Sequence, residues 1–214
     1  MTHPNLVAWY KGNGNAEDSS GNGHHGTWVG TPAYAAGKFG QGFEFDGASM
    51  VEAPDRFNFI HQTGTFTMSF WLFVANAATN QRIMGGNIWS GGHGLGIDIA
   101  SSNIRLMMGN GGGGGYSNYY SLFGATITSG WNHVTMAGNG TNALIRINGH
   151  SLANQSYSPA LHSTANAFTL FRLGRLATDS FFTGIINDLR IYNAALSPSD
   201  IRRVMHGFQP IGIY

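Results

Sequence analysis

The clearest hydrophobic pattern in the chain is the stretch 66–75, Phe-Thr-Met-Ser-Phe-Trp-Leu-Phe-Val-Ala. Phe66, Met68, Phe70, Leu72 and Val74 alternate with Thr67, Ser69, Trp71 and Phe73, the period of two that a β-strand imposes. The second set starts polar and turns aromatic, which predicts a face half covered at its start and fully covered at its end. Shorter apolar runs follow at 82–85, 94–100, 104–108, 131–137, 143–147, 168–173 and 184–192, each bounded by Gly, Asn, Ser or Asp. Strands at roughly ten-residue spacing without helical patterns between them predict a sandwich rather than a βαβ sheet.

Turn chemistry supports the same picture. Asn148-Gly149 after Ile145 and Ile147 is a favoured type I′ hairpin turn. Ser101-Ser102-Asn103 joins the runs 94–100 and 104–108 as a second hairpin, so segments 86–93 and 109–120 leave from the opposite end of that hairpin. One helix is predicted near the C-terminus, where Ser197 is the N-cap, Pro198 the first helical residue and Asp200 the acid three positions on; Gly207 stops it. Trp9, Trp71 and Trp131 fall in strand patterns and are assigned to the core, while Trp28 fits core or surface.

Composition narrows the function. Of 214 residues only 10% are charged and 32 are Gly, with 42% hydrophobic and 13% aromatic, the profile of a turn-rich all-β protein. The net charge of +1 gives no electrostatic reason for a nucleic-acid partner. Cysteine is absent, which excludes a disulfide framework and thiol chemistry. Met1-Thr-His-Pro-Asn5 has neither the basic nor the apolar part of a signal peptide, and no apolar stretch approaches the ~18 residues of a membrane span. The expectation is a protein of a virion or the extracellular space, made without a visible leader and not inserted in a membrane.

Six segments, in order, resemble the laminin-G-like members of the concanavalin A-like lectin/glucanase superfamily. They are Leu6–Tyr10 with the loop Gly14–Gly26, Gly37-Lys-Phe-Gly40, Gly42–Gly47, Phe66–Trp71, Gly130–Val134 and Gly184–Ser197. The resemblance implies an all-β, two-sheet antiparallel jelly-roll sandwich with one short C-terminal helix, as a single domain over 1–214 with its core about 6–206. It implies less about function, because this fold hosts enzymes, lectins and spacers.

Asp18, Ser20 and Asn22 offer hard oxygens of the kind Ca²⁺ prefers. In relatives such a loop meets an acidic pair on the last long strand, which here is Asn187-Asp188. A structural Ca²⁺ held by Asp18, Asn22, Asn187 and Asp188 is therefore expected, with a β-bulge needed to turn both strand residues the same way. The alternative is an Asx-rich turn capped by Asp18 without metal.

Glycoside hydrolysis needs two carboxylates roughly 5–10 Å apart. The single E-x-D is Glu44-Phe-Asp46, and the third acid of the glucanase pattern is replaced by Ser49. Asp98 is the most strand-central acid but has no evident partner. No catalytic residue is assigned, and the expected protein is not an enzyme. The expected ligand site is aromatic: Trp89, His93, Asn110, Tyr116, Asn118 and Tyr119 lie in two Gly- and Ser-rich segments and combine ring faces for sugars with amides for hydroxyls. Packing of the same rings against the sheets is the competing explanation. The expected function is a binding or adhesion module for a glycan or protein surface. Its setting is a phage virion, as capsid decoration or fibre-tip adhesin touching capsid or fibre proteins, with a homo-oligomer compatible with that role. The alternative setting is a carbohydrate-binding domain of a larger secreted glycoside hydrolase; a glycosidase or lyase is the minority case.

Overall fold

The computed structural model describes residues 3–53, 57, 59–85, 95–109, 119–156, 171–177 and 180–211. The first strands are β1 Leu6–Tyr10, β2 Thr27–Val29, β3 Tyr34–Ala36, β4 Gln41–Asp46, β5 Met50–Ala53 and β6 Thr65–Val74. They are followed by β7 Gln81–Gly85, β8 Leu95–Ala100, β9 Asn103–Gly109, β10 Tyr119–Thr126, β11 Gly130–Asn139 and β12 Asn142–Ile147. The last are β13 His150–Ser156, β14 Phe171–Leu173, β15 Arg175–Ala177, β16 Ser180–Phe181 and β17 Thr183–Tyr192. Helix α1 is a single turn, Phe59–Thr63, and α2 spans Pro198–Met205.

All pairings are antiparallel. An eight-stranded sheet runs β13-β12-β11-β6-β17-β4-β3, with β1 pairing on the second half of β17. A seven-stranded sheet runs β10-β9-β8-β7-β14-β5-β2, and β15-β16 form a separate ribbon. The fold is the expected jelly-roll sandwich, with that ribbon and α1 in addition. Phe43, Phe66, Met68, Phe70, Leu72, Val134 and Ile186 from the eight-stranded sheet meet Val51, Ile83, Ile97, Ile99, Leu106 and Leu173 from the seven-stranded sheet in one core. The alternating face of β6 predicted to be buried is therefore the core face.

Asn148 and Gly149 join β12 to β13 with φ of 50° and 80°, the left-handed pair a type I′ turn requires. Ser101 and Ser102 turn β8 into β9 the same way, with φ of 50° and 62°. Ser197 caps α2 by accepting from the Asp200 N–H at 3.1 Å. Gly207, at φ 83°, ends it in a Schellman arrangement in which Phe208 N bonds Arg203 O.

Helix α2 lies on the outer face of the eight-stranded sheet, where Ile201 and Val204 pack with Leu6, Tyr192 and Leu196. This reverses two sequence expectations. The polar start of the second β6 face is the buried part: Thr67 Oγ1 donates to Ala194 O at 2.7 Å and Ser69 pairs with His133, while Trp71 and Phe73 are half-buried. Trp9, Trp71 and Trp131 are likewise half-buried on this outer face rather than in the core. Alternation assigns a residue to a face but does not say what covers that face. Trp28 packs against the core and donates its indole N–H to Tyr34 at 2.8 Å.

Candidate functional site

The loop after β1 folds around Asp18. Its carboxylate accepts from Trp9 N (2.8 Å), Ser20 N (2.8 Å), Ser20 Oγ (2.7 Å) and His24 N (3.1 Å). Burial alone would raise the Asp18 pKa, but these hydrogen bonds outweigh it and hold the carboxyl below its ordinary value. Asn22 turns its amide N–H groups to Leu6 O and Val7 O, both at 2.8 Å.

On β17 the register slips by one residue between Asn187 and Arg190, and Asp188 takes a left-handed φ of 57°. This bulge turns Asn187, Asp188 and Arg190 to the same outer face. Asn187 accepts from Phe39 N at 3.0 Å and donates to Lys11 O (2.9 Å), Phe39 O (3.2 Å) and Gln41 O (2.8 Å). A Cβ on Gly37 would lie 2.7 Å from the Asn187 side chain, so only Gly lets loop 37–40 press this closely. Asp188 accepts from Trp9 Nε1 at 2.6 Å and from Arg190, whose NH2 lies 3.0 Å away. Burial raises the Asp188 carboxyl, with the Arg190 charge and the Trp9 N–H partly offsetting it. Arg190 also donates to Phe208 O (2.8 Å) and Gly207 O (3.2 Å), tying the end of α2 to the sheet.

The expected calcium ligands therefore do not fit a cation. Each carboxylate of the set is committed to N–H or O–H donors, Asn22 offers its N–H side to backbone carbonyls, and a divalent ion at Asp188 would face the Arg190 guanidinium. The bulge exists, but it serves an amide clamp and a buried ion pair. Sequence reasoning missed the clamp because its four partners are backbone groups contributed by Lys11, Phe39 and Gln41, which no side-chain pattern records.

Next to this bulge a cleft of about 360 Å³ opens between loops 11–13 and 37–40 and the end of α2. Trp9 forms part of its wall, with Lys11 Nζ 4.2 Å and Arg190 Cζ 4.5 Å from the ring centroid. Beside it in the sheet, Trp71 pairs in register with Asn187 and His133. His133 Nε2 bonds Ser69 Oγ at 2.9 Å, and burial, reinforced by the Arg190 and His206 charges, pushes its pKa down to about 3. His133 is thus neutral at physiological pH. Burial also pushes the Tyr192 hydroxyl up to about 12.

The opposite, seven-stranded sheet carries a second buried acid. Asp98, fully buried between the core residues Ile97 and Ile99, faces outward and is bridged by Arg82 from β7 and Arg105 from β9. The Arg105 Nε–Asp98 Oδ1 distance is 2.6 Å. Asp46, the other acid considered for catalysis, caps the turn after β4 through Ala48 N and Ser49 N, which hold its carboxyl below its ordinary value.

Of the expected aromatic patch, Trp89, His93, Asn110, Tyr116 and Asn118 lie outside the described residues, and Tyr119 begins β10. The strand ends flanking these segments are described. Gly85 pairs Gly96, Leu95 pairs Met108 and Gly109 pairs Tyr119, all at the end of the sheet opposite the Ser101–Ser102 turn. Both segments thus start and finish on one rim, as the hairpin predicted. Ala53 and Phe171, themselves in register, end their strands on the same rim.

A laminin-G-type family model, described as the concanavalin A-like lectin/glucanases superfamily, matches residues 45–202. The chain belongs to this superfamily. Among solved structures, this concanavalin A-like chain is similar to domain 4 of AbnA, a GH43 extracellular arabinanase from Geobacillus stearothermophilus, in complex with arabinotriose. Identity is 28%, covering 93% of this chain and 97% of that one, with a TM-score of 0.74. It also shares its fold with the binding domain of botulinum neurotoxin DC in complex with rat synaptotagmin II, at 17% identity and TM-score 0.69. The binding domain of Paraclostridial Mosquitocidal Protein 1 is a third neighbour, at 16% identity and TM-score 0.72. The chain covers 52% of each of these two toxin chains, and 96% and 95% of itself respectively. No curated protein matches. Among the described residues no helix is long and apolar enough to cross a membrane.

Proposed function

We propose that the protein is a non-catalytic glycan-binding module that holds a neutral oligosaccharide at the rim of the seven-stranded sheet. The observation that carries this is the near end-to-end match to an arabinanase domain that holds arabinotriose. That match supports the accessory domain of a larger secreted glycoside hydrolase over the virion setting, capsid decoration or fibre-tip adhesin, which rests on the sequence alone.

The rim fits such a role. Two chain segments rich in Gly, Ser, Asn and Tyr start and finish there. Asp98 is suited to holding Arg82 and Arg105 and not to proton transfer, because its charge is matched on both sides. The proposed rim site does not call on a calcium ion, whose expected ligands lie on the other sheet and are engaged in hydrogen bonds.

Calorimetric titration with arabinotriose and a panel of neutral oligosaccharides tests the proposal. Wild type should bind at least one of them, and Trp89→Ala or Tyr119→Ala should weaken it about tenfold or more. Sugar turnover, or variants that bind like wild type, would overturn it.

A further inference from the structure

We propose that the cleft over Trp9 is a second ligand site, on the sheet opposite the rim, for a uronic acid residue. It takes from the proposed function only the class of molecule, a saccharide; the acidic group is argued from the cleft itself.

The cleft's own acid is spent. Asp188 is bridged to Arg190 and Trp9, and Arg190 commits its Nε and both terminal nitrogens to Asp188, Gly207 O and Phe208 O. What remains is cationic or donating. The Lys11 ammonium stands over the Trp9 ring and has no ion pair among the described residues. Asn13 uses its carbonyl oxygen on Gln41 N at 3.2 Å, which leaves its NH₂ group for a ligand. The His206 imidazole, on the opposite lip, is exposed and makes no side-chain hydrogen bond among the described residues.

The distribution of lysines points the same way. The chain has two, Lys11 and Lys38, and both are on this face; Lys38 Nζ lies 4.9 Å from the centroid of Trp71, the register partner of Asn187. In a chain of net charge +1, two exposed ammonium groups held over aromatic rings, neither within ion-pair distance of a carboxylate among the described residues, make a local excess of positive potential beside the Arg190-neutralised Asp188. Phe39, 39% exposed at the mouth, offers a ring face to the C–H side of a sugar. A volume of about 360 Å³ is enough for one or two sugar rings. With the Arg190 fork spent, one ammonium beside an amide suits a single carboxylate.

The site is built to be stiff. Asn187 pins Lys11 O, Phe39 N and O, and Gln41 O, so both loops that carry the ligand-facing groups hang on one buried amide.

Titration of ¹⁵N-labelled protein with trigalacturonate and, separately, with arabinotriose or sodium acetate tests the proposal. Trigalacturonate should shift the amide signals of Lys11, Asn13, Phe39 and His206, more weakly at high salt. Lys11→Gln should lower its affinity about tenfold, and Phe39→Ala should lower it without changing the melting temperature. Binding of arabinotriose should be the same in wild type and Lys11→Gln. If trigalacturonate leaves those signals in place while arabinotriose still binds, the second site is refuted and the glycan-binding function stands. If acetate shifts them as strongly at equal carboxylate concentration, or Lys11→Gln binds trigalacturonate normally, the site is not one for uronic acids.

Discussion

The two sheets each bury a carboxylate against arginine on their outer faces, and the two clusters serve different ends. On the eight-stranded sheet Arg190 is almost inaccessible and spends its remaining donors on the carbonyls that end α2. On the seven-stranded sheet Asp98 is buried, yet the arginines that bridge it keep 27% and 16% of their side chains exposed, in the half of the sheet nearer the Ser101–Ser102 turn. A buried guanidinium tied to backbone holds a fold together. One held by a carboxylate with an edge toward solvent keeps part of its hydration and contributes less to the fold.

That contrast can be broken by mutation. Asp188→Ala leaves Arg190 buried without its counter-charge and should cost about 3–5 kcal/mol in urea denaturation. Arg82→Ala, which leaves Arg105 on Asp98, should cost about 1 kcal/mol or less. Equal losses at the two sites would remove the distinction between buried clamp and part-exposed pair.

The polar layer beneath α2 has a pH signature. His133 is neutral in the fold with a pKa of about 3, against about 6.5 in an unfolded chain. The unfolded state binds the extra proton first, so stability present above pH 6.5 is lost as pH falls toward 3. By pH 4.5 the loss from this one residue should be about 2–3 kcal/mol, read as a falling urea midpoint. His133→Gln should flatten that slope; an unchanged slope would mean that the proton uptake lies elsewhere.

A smaller effect separates the amide clamp from the metal site expected of the sequence. Asn187→Asp would turn a carboxylate toward the carbonyls of Lys11, Phe39 and Gln41 and should destabilise by about 1–3 kcal/mol. Were these residues calcium ligands, the same change would strengthen cation binding, so a rise in melting temperature with millimolar Ca²⁺ in the variant would restore the metal. For wild type, EDTA and Ca²⁺ should give the same melting temperature.

Much of the fold was legible because it rests on local rules. The alternation in 66–75 set the core face of β6, Asn148-Gly149 set a turn, and Ser197-Pro198 with Gly207 bounded α2 almost to the residue. The common rim of segments 86–94 and 110–118 also followed from sequence, because an antiparallel hairpin fixes which ends are neighbours. What the sequence did not contain was the cover. Thr67, Ser69 and His133 read as a half-wet face until α2 and the segment 194–196 before it are laid over this side of the sheet, and Trp9, Trp71 and Trp131 read as core although they line the outer face. Asn187-Asp188 looked like metal ligands because oxygen-bearing side chains are visible in a sequence. Their actual partners, backbone carbonyls and amides up to 176 residues away and the guanidinium two residues on, become neighbours only when the sheet closes. Local propensity and periodicity are properties of a few consecutive residues, whereas burial and hydrogen-bond satisfaction belong to whatever the whole chain brings alongside.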